Sequence, residues 1–280
     1  WLTEHTGKPV FGVLPYLHGL VIDSEDSVSA AGTSEAGALK VVVPVLPRIS
    51  NHNDFDPLRL HPGVDLVFVG PDELIPPADL VILPGSKSTR HDLQWLKQQG
   101  WPEAIQKHLR YGGKLLGICG GFQMLGLKVE DPEGLEGEVG TTKGLALFEM
   151  VTRMVPGKQL RMVNGGLTSH IASTVVTGAL KGYEMHNGVT EGAALVRPFA
   201  ELEGRPDGAV SADGQVAGTY IHGVFDEPAA CEAILAWAGL KTQGEQSVDY
   251  QRHRLQQLDR LADQVDQCLD KERLRRLLQL

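Results

Sequence analysis

The chain has 280 residues, with 26 lysines and arginines against 35 aspartates and glutamates, so its formal net charge is −9. This acidic balance excludes a general nucleic-acid-binding protein, which would present a basic surface to phosphates. No apolar run approaches the length of a membrane span. The three cysteines lack metal-ligand spacing and leave one unpaired in any disulfide scheme, so a reducing, cytoplasmic setting is expected.

The first half of the chain has the pattern of an α/β protein. A short apolar run near the N-terminus is followed by a segment of small polar residues, 24–38, which reads as a linker. Three Val- and Leu-rich runs are typical of strands buried on both faces of a parallel sheet: residues 39–45, 65–69 and 79–83. Helical spacing over 88–99 and 102–111 then leads to a fourth apolar run that ends at Cys119.

The second half begins with a Gly- and Glu-rich stretch, 130–144, which predicts a surface loop. Several β-type segments follow within 145–196, including 145–150 and 169–177, and a further strand is predicted over 216–220. Helices are predicted over 227–237 and, from an amphipathic stripe, over 248–280. Together the elements predict an open, mostly parallel sheet flanked by helices, with an additional β region and a C-terminal helical tail.

Cys119 lies where an apolar run turns into a helical pattern. Gly117, Gly120 and Gly121 surround it, as a sharp strand-to-helix turn requires. Such a nucleophile elbow exposes a reactive side chain, and the start of a helix favours a thiolate. The alternative is a buried structural cysteine beside a tight turn. The pattern favours a nucleophile.

His222 is the strongest candidate for the base that a nucleophilic cysteine needs. It follows a predicted strand, at the end where open α/β sheets place ligand groups. The alternative is a histidine in a surface loop with a satisfied hydrogen bond, which is the commoner role for any one histidine. Gly85, in a Pro-Gly-Ser-Lys-Ser-Thr loop after another strand, lets backbone N–H groups face a developing oxyanion. Glu184 and His186 face one side if their segment is extended, either as substrate contacts or as a hydrogen-bonded turn.

These motifs resemble those of the class I, triad-type glutamine amidotransferases. Residues 117–126 read Gly-Ile-Cys-Gly-Gly-Phe-Gln-Met-Leu-Gly, and His222 stands in Thr-Tyr-Ile-His-Gly. Within that class the chain is most similar to the cobyric acid synthases. This finer resemblance depends on the Gly85 loop with the Asp-Leu-Gln-Trp-Leu that follows it, on Gly-Tyr-Glu-Met-His at 182–186, and on residues 49–57, Ile-Ser-Asn-His-Asn-Asp-Phe-Asp-Pro.

The resemblance implies a mechanism and a set of site residues. His222 accepts the thiol proton, and Cys119 attacks the glutamine carboxamide to release ammonia and leave a glutamyl thioester. Backbone N–H groups at Gly85 and Gly120 hold the oxyanion, and Gln123 matches the position that contacts glutamine. Many relatives carry Glu two residues after the base, where this chain has Val224. The candidates for orienting His222 are therefore Asp226 and Glu184, or the site works as a dyad.

The resemblance also implies a domain organisation. Residues 1–35 are expected to be the last part of an ATP-dependent synthetase domain with its linker, and 36–280 the amidotransferase domain. No cofactor is expected in this portion; ATP and magnesium are implied for the synthetase domain. The implied acceptor is a corrinoid, adenosylcobyrinic acid a,c-diamide, whose carboxylates receive the ammonia. The alternatives are an a,c-diamide synthase, a cell-wall amidase, a thiol hydrolase on the same fold, or an idle docking domain.

Overall fold

The computed structural model describes residues 1–20, 38–172, 176–241 and 248–279. The chain divides into two compact units, the smaller of Trp1–Glu25 with Tyr250–Leu280 and the larger of Asp26–Asp249. The C-terminal helices are thus grouped with the N-terminal segment. The domain boundary expected near residue 35 stays a prediction, and the linker expected over 24–38 lies, apart from its last residue, outside the described residues.

All the strands found among the described residues lie in the larger unit. In chain order they are β1 (Leu39–Pro44), β2 (Ile49–Ser50), β3 (Val64–Val69), β4 (Leu80–Leu83), β5 (Gly85–Ser86), β6 (Lys114–Ile118), β7 (Lys128–Asp131), β8 (Gly140–Lys143), β9 (Met150–Leu167), β10 (Val176–Gly192), β11 (Ala200–Leu202), β12 (Arg205–Asp207), β13 (Ala209–Val210), β14 (Val216–Thr219) and β15 (Ile221–His222). The helices of the chain are α1 (Leu2–Thr6), α2 (Asp56–Leu60), α3 (Thr89–Gln98), α4 (Trp101–Arg110), α5 (Gly120–Met124), α6 (Pro228–Ala238), α7 (Tyr250–Cys268) and α8 (Lys271–Leu278).

A six-stranded sheet lies at the centre of the larger unit, in the order β13-β14-β6-β4-β1-β3. Its pairs are parallel except for β13 with β14. The predicted Val-rich strands are confirmed, and every residue of β4 is buried, as expected of a strand covered on both faces. The helices predicted before Cys119 are confirmed as α3 and α4. The expected fold, an open and mostly parallel sheet flanked by helices, is therefore confirmed.

A second, largely antiparallel sheet forms the additional β region, with β9 and β10 as its long central pair. Its edge strand β15 pairs with β10 so that His222 lies opposite Tyr183. Because β15 follows β14 after one residue, the chain passes from the parallel sheet into this second sheet immediately before His222. The second sheet therefore fixes the end of the strand that carries the predicted base.

The prediction of a loop over 130–144 was partly wrong. Its ends belong to β7 and β8, which pair with each other, and β7 also pairs with β9. The strand predicted over 145–150 was wrong except at Met150, where β9 begins, because the backbone N–H groups of Leu145 and Leu147 donate to the carbonyls of Met124 and Leu125 at the end of α5. In both segments the backbone conformation depends on hydrogen-bond partners from distant parts of the chain, and composition carries no information about those partners.

The remaining β-type segment, predicted over 169–177, was also wrong in part. The N–H groups of Ile171 and Ala172 donate back to the carbonyl of Thr168, which makes a turn. Residues 173–175 lie outside the described residues, and β10 begins at Val176.

The predicted helices after the second sheet are confirmed as α6, α7 and α8. The long C-terminal helix is interrupted at residues 269–270, and Asp270 caps the restart by accepting a hydrogen bond from the Arg273 N–H at 3.0 Å. Among the residues that the structure describes, no helix is both long and apolar enough to cross a membrane.

Candidate active site

Cys119 occupies a strained corner between β6 and α5. Its backbone has φ 50° and ψ −106°, a conformation that costs energy in a residue with a side chain. Its N–H donates to the Thr219 carbonyl at 2.8 Å, which ties the corner to β14. A Cβ on Gly121 would lie 2.1 Å from the carbonyl oxygen of Leu83, so only glycine lets the new helix approach β4. This geometry is that of a nucleophile elbow.

His222 lies beside Cys119 because their strands are neighbours. In the parallel pair of β6 and β14, Ile118 lies opposite Thr219, so the two carboxyl ends meet at one edge of the sheet. His222 follows three residues after Thr219 and is only 1% exposed, and the Cys119 side chain is among the neighbours that raise its pKa. The Cys119 thiol itself donates a hydrogen bond to the Met185 carbonyl at 3.6 Å. The structure thus brings together the two residues that sequence analysis paired as nucleophile and base.

Asp54 orients the His222 ring, a role that sequence analysis did not assign to it. Asp54 Oδ2 lies 2.7 Å from His222 Nδ1, and Asp54 Oδ1 accepts the Gly223 N–H at 2.8 Å. Because a carboxylate only accepts, Nδ1 carries the proton and Nε2 is the ring nitrogen left for the thiol. The arrangement is a Cys–His–Asp triad in geometry.

The buried ion pair changes the charge state of the imidazole. Burial alone would lower the pKa of His222, but the charge and hydrogen bond of Asp54, together with those of Cys119, raise it to about 10. At neutral pH His222 is therefore an imidazolium. A positive charge at this position stabilises a negative charge on the neighbouring sulfur.

Glu184, one of the two carboxylates considered for orienting His222, is engaged elsewhere. It is 1% exposed and forms ion pairs with Arg161 and, at 3.0 Å, with Arg205. Sequence analysis missed Asp54 although it quoted the segment that contains it. The two residues of the ion pair are 168 positions apart, and such a distance leaves no spacing signal.

Gly85 lies against the His222 ring, and Gly120 directly follows Cys119 and lies against the loop that contains Ser86. A Cβ on Gly85 would lie 2.7 Å from Ser50 Oγ and 3.0 Å from His222 Cε1, so a side chain would displace the imidazole. A Cβ on Gly120 would lie 2.8 Å from the backbone N of Ser86. The loop after β4 and the start of α5 therefore meet at Cys119, where backbone donors for an oxyanion are needed.

Gln123 is buried beside the elbow rather than on a helix surface. Its Oε1 accepts a hydrogen bond from Thr89 Oγ1 at 3.0 Å, and its Nε2 donates to the Tyr220 hydroxyl at 3.3 Å. The Tyr220 ring in turn stacks on His186, with centroids 3.9 Å apart. The oxygen and the nitrogen of the Gln123 side-chain amide are thus both hydrogen-bonded by residues from other elements. These bonds hold the amide one helical turn from Cys119.

Glu136 is a second residue that sequence analysis missed, since it lies in the stretch interpreted as a surface loop. Its Oε1 lies 3.5 Å from Thr89 Oγ1, the hydroxyl that also binds Gln123. Its Oε2 is buried and has no hydrogen-bond partner among the described residues. Burial raises the pKa of Glu136 by more than its hydrogen bonds to Arg90 and Thr89 lower it. A buried, half-satisfied carboxylate near a nucleophile suits a cationic group of a ligand.

Residues 40–230 match the family model of the CobB/CobQ-like glutamine amidotransferase domain. The chain belongs to this family. It is therefore a glutamine amidotransferase, an enzyme that takes nitrogen from glutamine for a synthase partner, and the expected enzyme class is confirmed. The family match covers the elbow, the strand that ends at His222, and Asp54, all within the larger unit.

Solved structures with the same fold include a chain of PurLQS from Thermotoga maritima, with 16% identity and a TM-score of 0.52, and a glutamine amidotransferase with 19% identity and a TM-score of 0.50. Each comparison covers 71% of this chain and 99% of the other. At these identities the likeness is one of fold, and it agrees with the α/β architecture of the larger unit.

Among the described residues, no group of three or more His, Cys, Asp or Glu side chains is arranged to hold a metal ion. The neighbours of Cys119 include the His222 imidazole and backbone groups, which suits acyl transfer through a thiolate.

Proposed function

We propose that this amidotransferase hydrolyses glutamine through a Cys119 thioester. Cys119 Sγ attacks the side-chain carbonyl carbon, and the thiol proton, held on His222 Nε2, passes to the amide nitrogen as the C–N bond breaks. Ammonia leaves and a glutamyl thioester remains. A water that gives its proton to His222 then cleaves the thioester to glutamate and restores the Cys119 thiolate beside the imidazolium. The observation that carries this proposal is Cys119 in a strained elbow beside an imidazole that Asp54 holds.

The oxyanion and the substrate each have candidate partners around this triad. Backbone N–H groups at Gly85 and Gly120 would hold the tetrahedral oxyanion, because Gly85 lies against the His222 ring, Gly120 directly follows Cys119, and neither position leaves room for a side chain. Gln123 would contact the glutamine. Glu136, whose Oε2 has no hydrogen-bond partner within the described ranges, would receive the α-ammonium group of the glutamine.

The acceptor that we propose is adenosylcobyrinic acid a,c-diamide, which would make the whole enzyme a cobyric acid synthase. The family match to CobB/CobQ-like domains and the Pro-Gly-Ser-Lys-Ser-Thr loop of Gly85 support this choice. The ammonia would pass to an ATP-dependent synthetase domain that binds the corrinoid, ATP and magnesium and activates its carboxylates, and residues 1–35 would belong to that domain.

The glutaminase proposal is tested with a glutamine-like diazo-ketone and mass spectrometry. We expect the label on Cys119, protection by free glutamine, and no label there in Cys119→Ser, whose glutamine hydrolysis should fall by at least about 10³-fold. Cys268→Ser, which changes a half-buried cysteine of α7, is the matched control and should leave labelling and hydrolysis unchanged.

The other outcomes decide between the remaining activities. Labelling of Cys119 without protection by glutamine would indicate a different thiol hydrolase, and no labelling would indicate a domain that only docks. The acceptor is tested by adding the synthetase partner with ATP and magnesium. Amide formation on the corrinoid is expected, and its absence with an active glutaminase would favour a related amidating enzyme.

A further inference from the structure

A buried carboxylate outside the triad, Asp92, lies in the first turn of α3. It is 1% exposed, and a single oxygen, Oδ2, accepts two hydrogen bonds: one from Ser86 Oγ at 2.6 Å and one from the Arg48 N–H at 3.3 Å. Burial raises the pKa of Asp92 more than these bonds and the nearby charges of Arg48 and His91 lower it. Burying a carboxylate costs free energy unless its hydrogen bonds compensate for the lost hydration. The role of Asp92 therefore lies in the segments that its hydrogen bonds hold in place.

The two donors belong to two different segments that form one small sheet. Ser86 ends β5, and Arg48 immediately precedes β2. The two strands are antiparallel, with Ser50 opposite Gly85, and the Lys87 N–H donates to the Arg48 carbonyl at 2.9 Å. The Ser86 hydroxyl also accepts the Ser88 N–H at 3.0 Å. Asp92 Oδ2 therefore fastens both segments of this sheet at one point.

Each of these segments leads directly to a catalytic group. β5 begins with Gly85, the proposed oxyanion donor, which lies against the His222 ring. β2 continues through Asn51, whose φ is 52°, into the turn that presents Asp54 to His222 Nδ1. The register between β2 and β5 thus sets the position of the oxyanion donor relative to the oriented imidazole.

We propose that Asp92 is a positioning residue that locks the Gly85 loop and the Asp54 turn in one register through Ser86 and Arg48. The inference rests on the proposed glutaminase function. Asp92 touches neither substrate nor reacting atoms and acts only through the two hydrogen bonds. Thr89, which binds Gln123 and Glu136, lies in α3 itself rather than in the two strands that Asp92 fastens, so loss of Asp92 lowers kcat much more than it raises KM. A misplacement of about 1 Å in a catalytic group costs roughly 10²-fold in rate.

The test compares three substitutions at the fastening point. Asp92→Ala is expected to lower kcat for glutamine hydrolysis by about 10²-fold and to change KM by less than about threefold. Asp92→Asn keeps an acceptor oxygen for both donors and should stay within about threefold of the parent. Ser86→Ala removes one donor and should lower kcat about tenfold. The matched control is Asp79→Ala, whose Oδ2 accepts the Lys40 N–H at 2.8 Å at the opposite end of β4 and should leave kcat unchanged.

A second measurement does not depend on catalysis. Amide hydrogen exchange should become faster over residues 48–51 and 85–88 in Asp92→Ala, while Asp92→Asn should match the parent. The proposal is overturned if Asp92→Ala keeps its kcat, if the exchange rates do not change, or if Asp92→Asn is as impaired as Asp92→Ala. If Asp92→Ala does not fold, an unchanged kcat in Ser86→Ala overturns it. A parent that hydrolyses no glutamine contradicts the proposed function, and the exchange rates alone then decide the positioning role.

Discussion

His222 owes its charge and orientation to Asp54, a residue far from it in the chain. The 2.7 Å contact between Asp54 Oδ2 and His222 Nδ1 is buried, so the two charges interact in a low dielectric. The second carboxylate oxygen is fixed by the Gly223 N–H, which prevents the side chain from turning away. We infer that this single carboxylate sets both the tautomer and the protonation state of the proposed base.

Asp54→Asn should lower kcat for glutamine hydrolysis by about 10²-fold or more, because an amide no longer stabilises the imidazolium. The pKa of His222, raised from 6.5 to about 10 in the folded parent, should fall, as measured by NMR titration of the imidazole Cε1 proton. A raised pKa gives the folded state a stabilising contribution that is complete below pH 6.5 and lost as the pH rises towards 10. The variant should therefore lose stability less steeply than the parent over this range.

Asp226→Asn is the appropriate comparison, because sequence analysis considered Asp226 for the same role. We expect it to change kcat by less than tenfold and to leave the His222 titration near that of the parent. An equal loss of activity in Asp226→Asn and Asp54→Asn would contradict the assignment of Asp54. Unfolding by denaturant at pH 7 and pH 9.5 gives the stability difference for each variant.

At the scale of elements, the catalytic edge is assembled from strand ends and the short segments that follow them. The ends of β6 and β14 provide Cys119 and His222, and the loop after β4 provides Gly85. Because these three strands are consecutive neighbours in one parallel sheet, the segments that follow them lie side by side at the same edge of the sheet. The small β2–β5 pair then adds the segment that bears Asp54.

Gly85→Ala tests how tightly these segments are packed. The added Cβ would lie 2.7 Å from Ser50 Oγ and 3.0 Å from His222 Cε1, so either β2 or the imidazole must move. We expect a loss of about 1–3 kcal/mol in the free energy of unfolding. A roughly 10²-fold fall in kcat should accompany it, because the base moves relative to Cys119. Denaturant unfolding and glutamine hydrolysis measure the two effects.

Gly70→Ala is the matched control at the end of β3. A Cβ there meets only the Glu73 carboxylate, at 3.6 Å or more, which is ordinary van der Waals contact. Stability should change by less than about 0.5 kcal/mol and activity should be retained. If Gly85→Ala were as well tolerated as this control, Gly85 would not be in contact with the working position of His222.

At the scale of the whole molecule, the family match and the catalytic residues both fall within one of the two units. The match covers residues 40–230, and the larger unit covers Asp26–Asp249. That unit has its own buried core around the parallel sheet, which includes Leu80, Leu116 and Phe122. A unit with a complete core is able to fold independently.

A chain shortened to residues 26–249 should therefore fold and keep its reactive cysteine. We expect cooperative thermal unfolding by circular dichroism and diazo-ketone labelling of Cys119 that free glutamine prevents. The same shortened chain with Cys119→Ser should fold equally well and take no label at that position. A shortened chain that is folded but unlabelled would mean that the smaller unit is needed for reactivity, and one that does not fold would contradict the independence of the larger unit.

The sequence by itself determined the parallel strands, the elbow at Cys119 and the place of His222 at the end of a strand. These features depend on local patterns. A continuous apolar run predicts a strand covered on both faces, and clustered glycines predict a tight turn. The residues that resemble class I amidotransferases also predicted the enzyme class that the family match shows.

Only the tertiary structure decided which carboxylate orients His222 and where Gln123, Glu136 and Asp92 lie. Asp54 and His222 come from segments 168 residues apart, and sequence analysis considered Asp226 and Glu184 instead. Glu184 pairs with two arginines from other strands, and composition alone placed Glu136 in a surface loop. A side chain's partner depends on which strand ends and loops converge, and that convergence is a property of the folded sheet rather than of any local spacing.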